Sequence, residues 1–299
     1  MTAPRPRERQ STPGSILIFG GGWLGQAVGR DVLSKGGIAW LTSRSPDTRA
    51  QLTDAGFHAV DPEDATALQT AVSEVQTLLV TAPPELSGCP GLKALIPALS
   101  ASGAWPDWIG YISSSAVYGD RAGAWAFEDE PLHASSLTGA RRVRAEAEWL
   151  EAGQSMGLTV QVFRLPALYG PGRSPVDKLR DGTARLVRKP GQVFNRIHVD
   201  DVVSGLFASM ARPHPGRAYT LCDDQPSPAD EVIEWAARRM GLPLPPEVDW
   251  TDPSVSEGMR RFYLDSKRLS NARAKAELTW RPRYPGYREA IEAILKTEG

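Results

Sequence analysis

The residues Gly20-Gly21-Gly22-Trp23-Leu24-Gly25 place three glycines at G-x-G-x-x-G spacing directly after a short apolar run. Gly20 permits a tight bend, and Gly22 lets backbone amides approach a diphosphate with no side chain between. Gly25 lets the next helix lie close on its strand. Trp23 and Leu24 open that helix, whose free N–H groups and positive dipole end suit phosphate. About 20 residues past the glycines, a carboxylate would accept hydrogen bonds from an adenosine ribose 2′-OH. Thr42-Ser43-Arg44-Ser45 stands there instead. Arg44, with Ser43 as a further donor, suits a 2′-phosphate. The expected cofactor is a nicotinamide dinucleotide, NADP in preference to NAD. Asp61, Thr81, Ala82 and Pro83 follow later strands and extend the same groove, Asp61 either accepting from the adenine amino group or capping the next helix.

Positioning these groups requires strands that end beneath them. Short apolar runs at residues 15–19, 38–41, 57–60, 77–80, 108–112, 159–164 and 219–222 read as strands. Residues 23–35, 138–152, 228–240 and 287–296 read as helices, the first with Leu24, Val28 and Val32 in one stripe. Strands alternating with helices predict an α/β protein: a Rossmann-type, doubly wound parallel sheet with a small interleaved C-terminal substrate lobe. Residues 1–14 read as a flexible tail, 15–166 as the dinucleotide-binding domain, and 167–299 as the last core strands interleaved with the lobe. Ligands in such sheets lie beyond the carboxyl ends of the strands, which draws attention to Ser113-Ser114-Ser115 after the fifth.

Composition limits the partners. The 299 residues are 41% hydrophobic and 23% charged with a formal net charge of -1, so neither nucleic acid nor a membrane surface is expected. Cys89 and Cys222 are too far apart in sequence for a metal motif, and no metal site is expected. Residues 1–14 lack the apolar core of a signal peptide, and no apolar run approaches the ~20 residues that span a bilayer. A cytoplasmic protein is the expectation.

Three further stretches carry a family resemblance. Ser113-Ser114-Ser115-Ala116-Val117-Tyr118-Gly119, Phe163-Arg164-Leu165-Pro166-Ala167-Leu168-Tyr169-Gly170-Pro171-Gly172-Arg173 and Asn195-Arg196-Ile197-His198-Val199-Asp200-Asp201-Val202 occur in this order. With the glycine loop they cover nearly the whole chain, which resembles an extended short-chain dehydrogenase/reductase of the epimerase/dehydratase type. The resemblance implies that Ser114 orients a substrate oxygen and that Leu165 borders the cofactor. It implies a proton-transferring Tyr with a Lys four residues on, and Thr138 and Arg142 stand at those positions. Arg142 can still hold ribose hydroxyls, but a threonine hydroxyl is a far weaker acid than a phenol. The chain is therefore similar to atypical members that keep the cofactor fingerprint and lose the tyrosine. Tyr118 and Tyr169 are candidates to supply the phenol from loops above the sheet. The resemblance also implies a homodimer paired through the helix carrying Arg142.

The remaining candidates are weaker. Ser115, Asn195, Arg196 and Arg261 are candidate substrate contacts, although Arg260, Arg261 and Arg268 read equally as a solvated basic surface. His198 with Asp200 and Asp201 could form a metal or acid–base pair, but the resemblance implies a strand-to-helix corner that packs the lobe on the core, Asp200 or Asp201 capping the helix. Tyr263-Leu264-Asp265-Ser266-Lys267 spells Tyr-x-x-x-Lys past the last core strand, outside the context that gives the motif meaning. Three functions compete: an NADP-dependent oxidoreductase of a small carbonyl or sugar-like substrate, a non-catalytic NADP(H) sensor, and a nucleotide-sugar epimerase or dehydratase. The missing tyrosine argues most strongly against the third.

Overall fold

The alternation of short buried runs with helices resolves into a parallel sheet covered on both faces. A computed structural model describes residues 12–297; residues 1–11 of the expected tail lie outside the described residues. The chain runs β1 (Ser15–Phe19), α1 (Trp23–Ser34), β2 (Ile38–Thr42), α2 (Pro46–Asp54), β3 (His58–Val60), α3 (Ala65–Ser73) and β4 (Thr77–Val80). Then come α4 (Pro90–Ser102), β5 (Trp108–Ser114), a 3-10 turn (Ser115–Tyr118), β6 (Trp125–Ala126), α5 (Leu137–Met156) and β7 (Val160–Leu165). Next are β8 (Ala167–Tyr169), α6 (Pro175–Arg180), β9 (Leu186–Arg188), β10 (Arg196–His198), α7 (Val199–Ala211) and β11 (Ala218–Thr220). The C-terminal elements are α8 (Ala229–Arg239), β12 (Glu247–Asp249), α9 (Glu257–Phe262), β13 (Arg268–Leu269), α10 (Ala272–Glu277) and α11 (Tyr287–Thr297).

Seven strands form the central sheet in the order β11-β7-β5-β4-β1-β2-β3. Every pairing in it is parallel. Chain order reverses between β1 and β4, and the crevice at such a reversal is where ligands bind in this architecture. One apolar core holds Val28, Leu41, Trp108, Phe163 and Leu206 on one side of the sheet. A second holds Leu17, Val80, Tyr111, Trp149 and Val160 on the other. Trp108 and Trp149 are fully buried, and replacing either by alanine costs about 3–5 kcal/mol. A third cluster, built from Tyr169, Val176, Val232, Tyr284, Tyr287 and Ile291, joins α6, α8 and α11 in the lobe.

Several helices lack the apolar stripe that marks one in sequence. Leu52 is the only buried residue of α2, which is instead started by Pro46 in its first turn and by Ser45 Oγ accepting from Thr48 N. Pro97 sits inside α4. α7, by contrast, is buried on most sides, with an apolar stripe of Val199, Val202, Val203, Leu206 and Met210 and only Asp200 and Ser204 exposed. The strand expected at 219–222 is Ala218–Thr220.

Candidate active site

The glycine loop is locked from both neighbouring strands. Gly20 N donates to Thr42 Oγ1 at 3.0 Å, Gly21 N to Thr42 O at 2.8 Å, and Thr81 Oγ1 donates to Gly20 O at 2.9 Å. Gly20 has φ +125°, a conformation glycine tolerates and other residues rarely adopt. A Cβ on Gly25 would stand 2.2 Å from Gly20 O, so helix and turn touch. Gly22 differs. It caps α1 with no side-chain hydrogen bond, and a Cβ there would meet nothing within 4 Å. The first turn of α1 contains no acidic residue. Open space above an uncapped helix N-terminus is the cradle a diphosphate requires, and the residues present fit one.

At the end of β2, Arg44 is exposed and faces Glu85 at 3.4 Å, with Ser43 beside it. A second guanidinium is present that sequence reasoning missed. Arg49, on the first turns of α2, donates to Ser43 O at 2.8 Å and Arg44 O at 2.9 Å and pairs with Asp61 at 2.8 Å. Only the helix start at Ser45-Pro46 could have signalled it. Asp61 is thus engaged by Arg49, and Asp64, not Asp61, caps α3 by accepting from Ala67 N. Ala82 is partly buried after β4 and Pro83 is exposed.

Ser114 ends β5 half-buried, its Oγ accepting from Ala116 N at 3.2 Å, with Ser115 half-buried beside it. Arg142, on α5, donates to Ile112 O at 3.0 Å, which brings its guanidinium to the carboxyl end of the same strand. Leu165 pairs with Ser114 in register. Thr138 is exposed on the first turn of α5, with its Oγ1 3.1 Å from Ser136 Oγ. Neither candidate tyrosine reaches this edge. Tyr118 is fully buried, its hydroxyl held by Thr220 Oγ1 at 2.8 Å and by Arg164 Nη1 at 3.2 Å. Tyr169 packs in the lobe cluster, and its buried hydroxyl has no hydrogen-bond partner among the described residues. Burial raises the pKa of both phenols.

Behind Ser114 lies a buried polar network absent from the sequence reading. Ser113 Oγ donates to Glu146 Oε1, and Arg164 donates to both oxygens of Glu146 and to Glu128 O. The candidate substrate residues are placed elsewhere. Asn195 donates to Lys267 O and accepts from Leu269 N, tying β10 to β13. Arg196 is buried and donates to the carbonyls of Ser227 and Pro228. Arg261 forms an exposed ion pair with Glu257 within α9. The cap of α7 is His198, whose Nδ1 accepts from Asp200 N at 3.2 Å, in place of the expected Asp200 or Asp201. Asp201 instead accepts from Arg283 N and Tyr284 N and so anchors the C-terminal segment on α7.

A groove of about 960 Å³ runs between α1, α7 and residues 278–283, lined by Trp23, Phe207 and Trp280; Ser114 and Arg142 are not among its walls. The chemistry-bearing residues Ser114 and Arg142 lie instead at the carboxyl edge of the sheet. Among the described residues no group of three His, Cys, Asp or Glu side chains could hold a metal ion. Nor is any helix among them long and apolar enough to cross a membrane.

The sequence profile described as "NAD dependent epimerase/dehydratase family" matches residues 93–222. Protein YeeZ of Escherichia coli strain K12 is 28% identical over 287 residues, covering 90% of this chain and 96% of that one. A solved structure of a functionally unknown conserved protein from Silicibacter pomeroyi DSS is 41% identical, with a TM-score of 0.87 over 95% of this chain and 99% of that one. The dTDP-glucose 4,6-dehydratase DesIV of Streptomyces venezuelae, solved with NAD and TYD bound, is 19% identical and shares the fold at a TM-score of 0.76, covering 94% and 96%. The Rossmann-type sheet, the open glycine turn and the serine at the end of β5 thus accompany a segment, residues 93–222, that matches the NAD dependent epimerase/dehydratase family, and the fold is that of the extended short-chain dehydrogenase/reductases.

Proposed function

We propose that this protein is an NADP(H)-dependent oxidoreductase acting in the cytoplasm on a small carbonyl or sugar-like substrate. The observation that carries the reading is the open space above Gly22 at an uncapped helix N-terminus, in line with Ser114 and Arg142 along one sheet edge. The amides of Gly22 to Gly25 bind the diphosphate, and Arg44, with Ser43 and Arg49 beside it, takes the 2′-phosphate. Arg142 holds the nicotinamide ribose, and Ser114 orients the substrate oxygen. When bound, the nicotinamide gives or takes hydride. The exposed Thr138 and the two buried tyrosines favour a second reading, a non-catalytic NADP(H) sensor.

NADPH fluorescence on binding tests the cofactor assignment. Arg44→Ala should weaken NADPH binding by about 10- to 100-fold, the worth of a charge-assisted hydrogen bond, while leaving NADH binding unchanged. Equal loss for both nucleotides would sink the NADP assignment. NADPH oxidation against a carbonyl panel separates enzyme from sensor, and Ser114→Ala should then lower kcat.

A further inference from the structure

β1 lies between β4 and β2 in the sheet, so the residues that follow β2 and β4 flank the glycine turn from opposite sides. The register sets Leu41 beside Ile18 and Val80 beside Phe19, which ends the three strands at one level. Neighbouring strands stand about 4.8 Å apart, so β2 and β4 are separated by roughly 10 Å. Arg44, two residues past β2, and Glu85, five past β4, nevertheless meet at 3.4 Å. Their ion pair therefore passes over the carboxyl end of β1, at the crevice where this architecture takes its ligand.

Both partners are held from behind. Arg49 Nη1 donates to Arg44 O at 2.9 Å. Glu85 closes a tight turn with Gly88, its N donating to Gly88 O at 2.9 Å and its O accepting from Gly88 N at 3.2 Å. The two guanidiniums at this end differ in what they have left to offer. Arg49 is engaged by two carbonyls and by Asp61. The Arg44 side chain is 70% exposed, and Glu85 is its only ion-pair partner among the described residues. A carboxylate thus sits on the guanidinium that a 2′-phosphate requires.

We propose that Glu85 sets the nucleotide preference by occupying Arg44 in the free protein; this rests on the NADP(H) reading of Arg44 above. A 2′-phosphate carries more charge than a carboxylate and three acceptor oxygens, so it takes the guanidinium over from Glu85. NADH carries a hydroxyl at that position and cannot compete, so the pair stays closed beside it. An exposed ion pair is weak, which is what an exchangeable seat needs. Binding NADPH then requires the release of Glu85, and binding NADH does not.

Glu85→Gln frees Arg44 at nearly constant side-chain size. Fluorescence titration should show NADPH bound about 2- to 5-fold more tightly, the worth of an exposed ion pair, with NADH bound as before. Probes without a nicotinamide should divide the same way, 2′,5′-ADP gaining as NADPH does and 5′-AMP unaffected. The gain runs through Arg44, so Glu85→Gln added to Arg44→Ala should change NADPH affinity by less than about twofold. A gain as large without Arg44 as with it would mean that the carboxylate only repels phosphate through space, and would overturn the proposal. Weaker NADH binding in Glu85→Gln would assign Glu85 to the ribose hydroxyl and overturn it as well. So would an NADPH affinity unmoved by Glu85→Gln while Arg44→Ala still lowers it, an outcome that leaves the NADP(H) reading standing. Arg44→Ala weakening both nucleotides equally would sink that reading, and the proposal with it. Both side chains are on the surface, so each variant should melt as the wild type does.

Discussion

A Cβ at Gly20 would meet Thr81 Oγ1 at 2.4 Å, and one at Gly25 would meet Gly20 O at 2.2 Å, whereas one at Gly22 meets nothing within 4 Å. Gly20 and Gly25 are therefore required by the fold, whereas the fold makes no such demand at Gly22, where we propose the diphosphate binds. Gly25→Ala should destabilise the protein by about 1–3 kcal/mol, because backbone must move to admit the methyl group. Gly22→Val should leave the melting temperature nearly unchanged and reduce NADPH affinity at least tenfold, read by calorimetry and by fluorescence. Unchanged affinity would remove the phosphate from this turn. The glycine spacing was readable without coordinates because it encodes a backbone shape. Side-chain direction was not. Tyr118 and Asn195 lie in the expected stretches, yet their polar atoms turn inward to Thr220 and to the Lys267 and Leu269 backbone. Nothing in a residue's type reveals which partner the fold will bring to it.

Elements with a buried stripe were legible, and those held by their ends were not. α1 shows its stripe in Leu24, Val28 and Val32, while α2 shows none and buries Leu52 alone. The corner at His198 to Asp201 was expected to join lobe and core, but the partners were hidden, since Asp201 acts through backbone groups 82 and 83 residues away. Asp201→Asn keeps one acceptor and loses the other, so it should cost about 1–3 kcal/mol by denaturant titration. Asp223, just past β11, makes a second joint. Burial pushes its pKa up to about 7, opposed by Arg196 and reinforced by Asp224 and Asp201. A carboxyl whose folded pKa is raised gives its full stability below the ordinary aspartate range and loses it as pH climbs to about 7. Asp223→Asn, which never ionises, should therefore raise the melting temperature at pH 7.5 and change it little near pH 4. An equal effect at both values would show that the carboxyl does not titrate in this window.

At the scale of the whole molecule, one buried ion pair connects the parts that the chain separates. Arg164 on β7 binds Glu146 on α5, and the same guanidinium reaches Tyr118 in the 3-10 turn and the carbonyl of Glu128. Glu128 in turn accepts from Thr220 N on β11. Five segments that flank Ser114 are thereby held in one arrangement before any ligand arrives. Glu146→Gln leaves the Arg164 charge buried without its counterion and should cost about 3–5 kcal/mol. A preorganised edge also determines how cofactor should act on stability. If the groove already exists in the folded chain, NADPH at ~100 times its dissociation constant adds about 2.7 kcal/mol to folding. For a chain of this size that corresponds to a rise of roughly 4 °C in melting temperature. The rise should grow with the logarithm of NADPH concentration, and in Arg44→Ala it should shrink for NADPH while persisting for NADH. A melting temperature indifferent to both nucleotides at millimolar concentration would mean that the crevice at the β1–β4 reversal binds neither of them, whatever the glycine turn resembles.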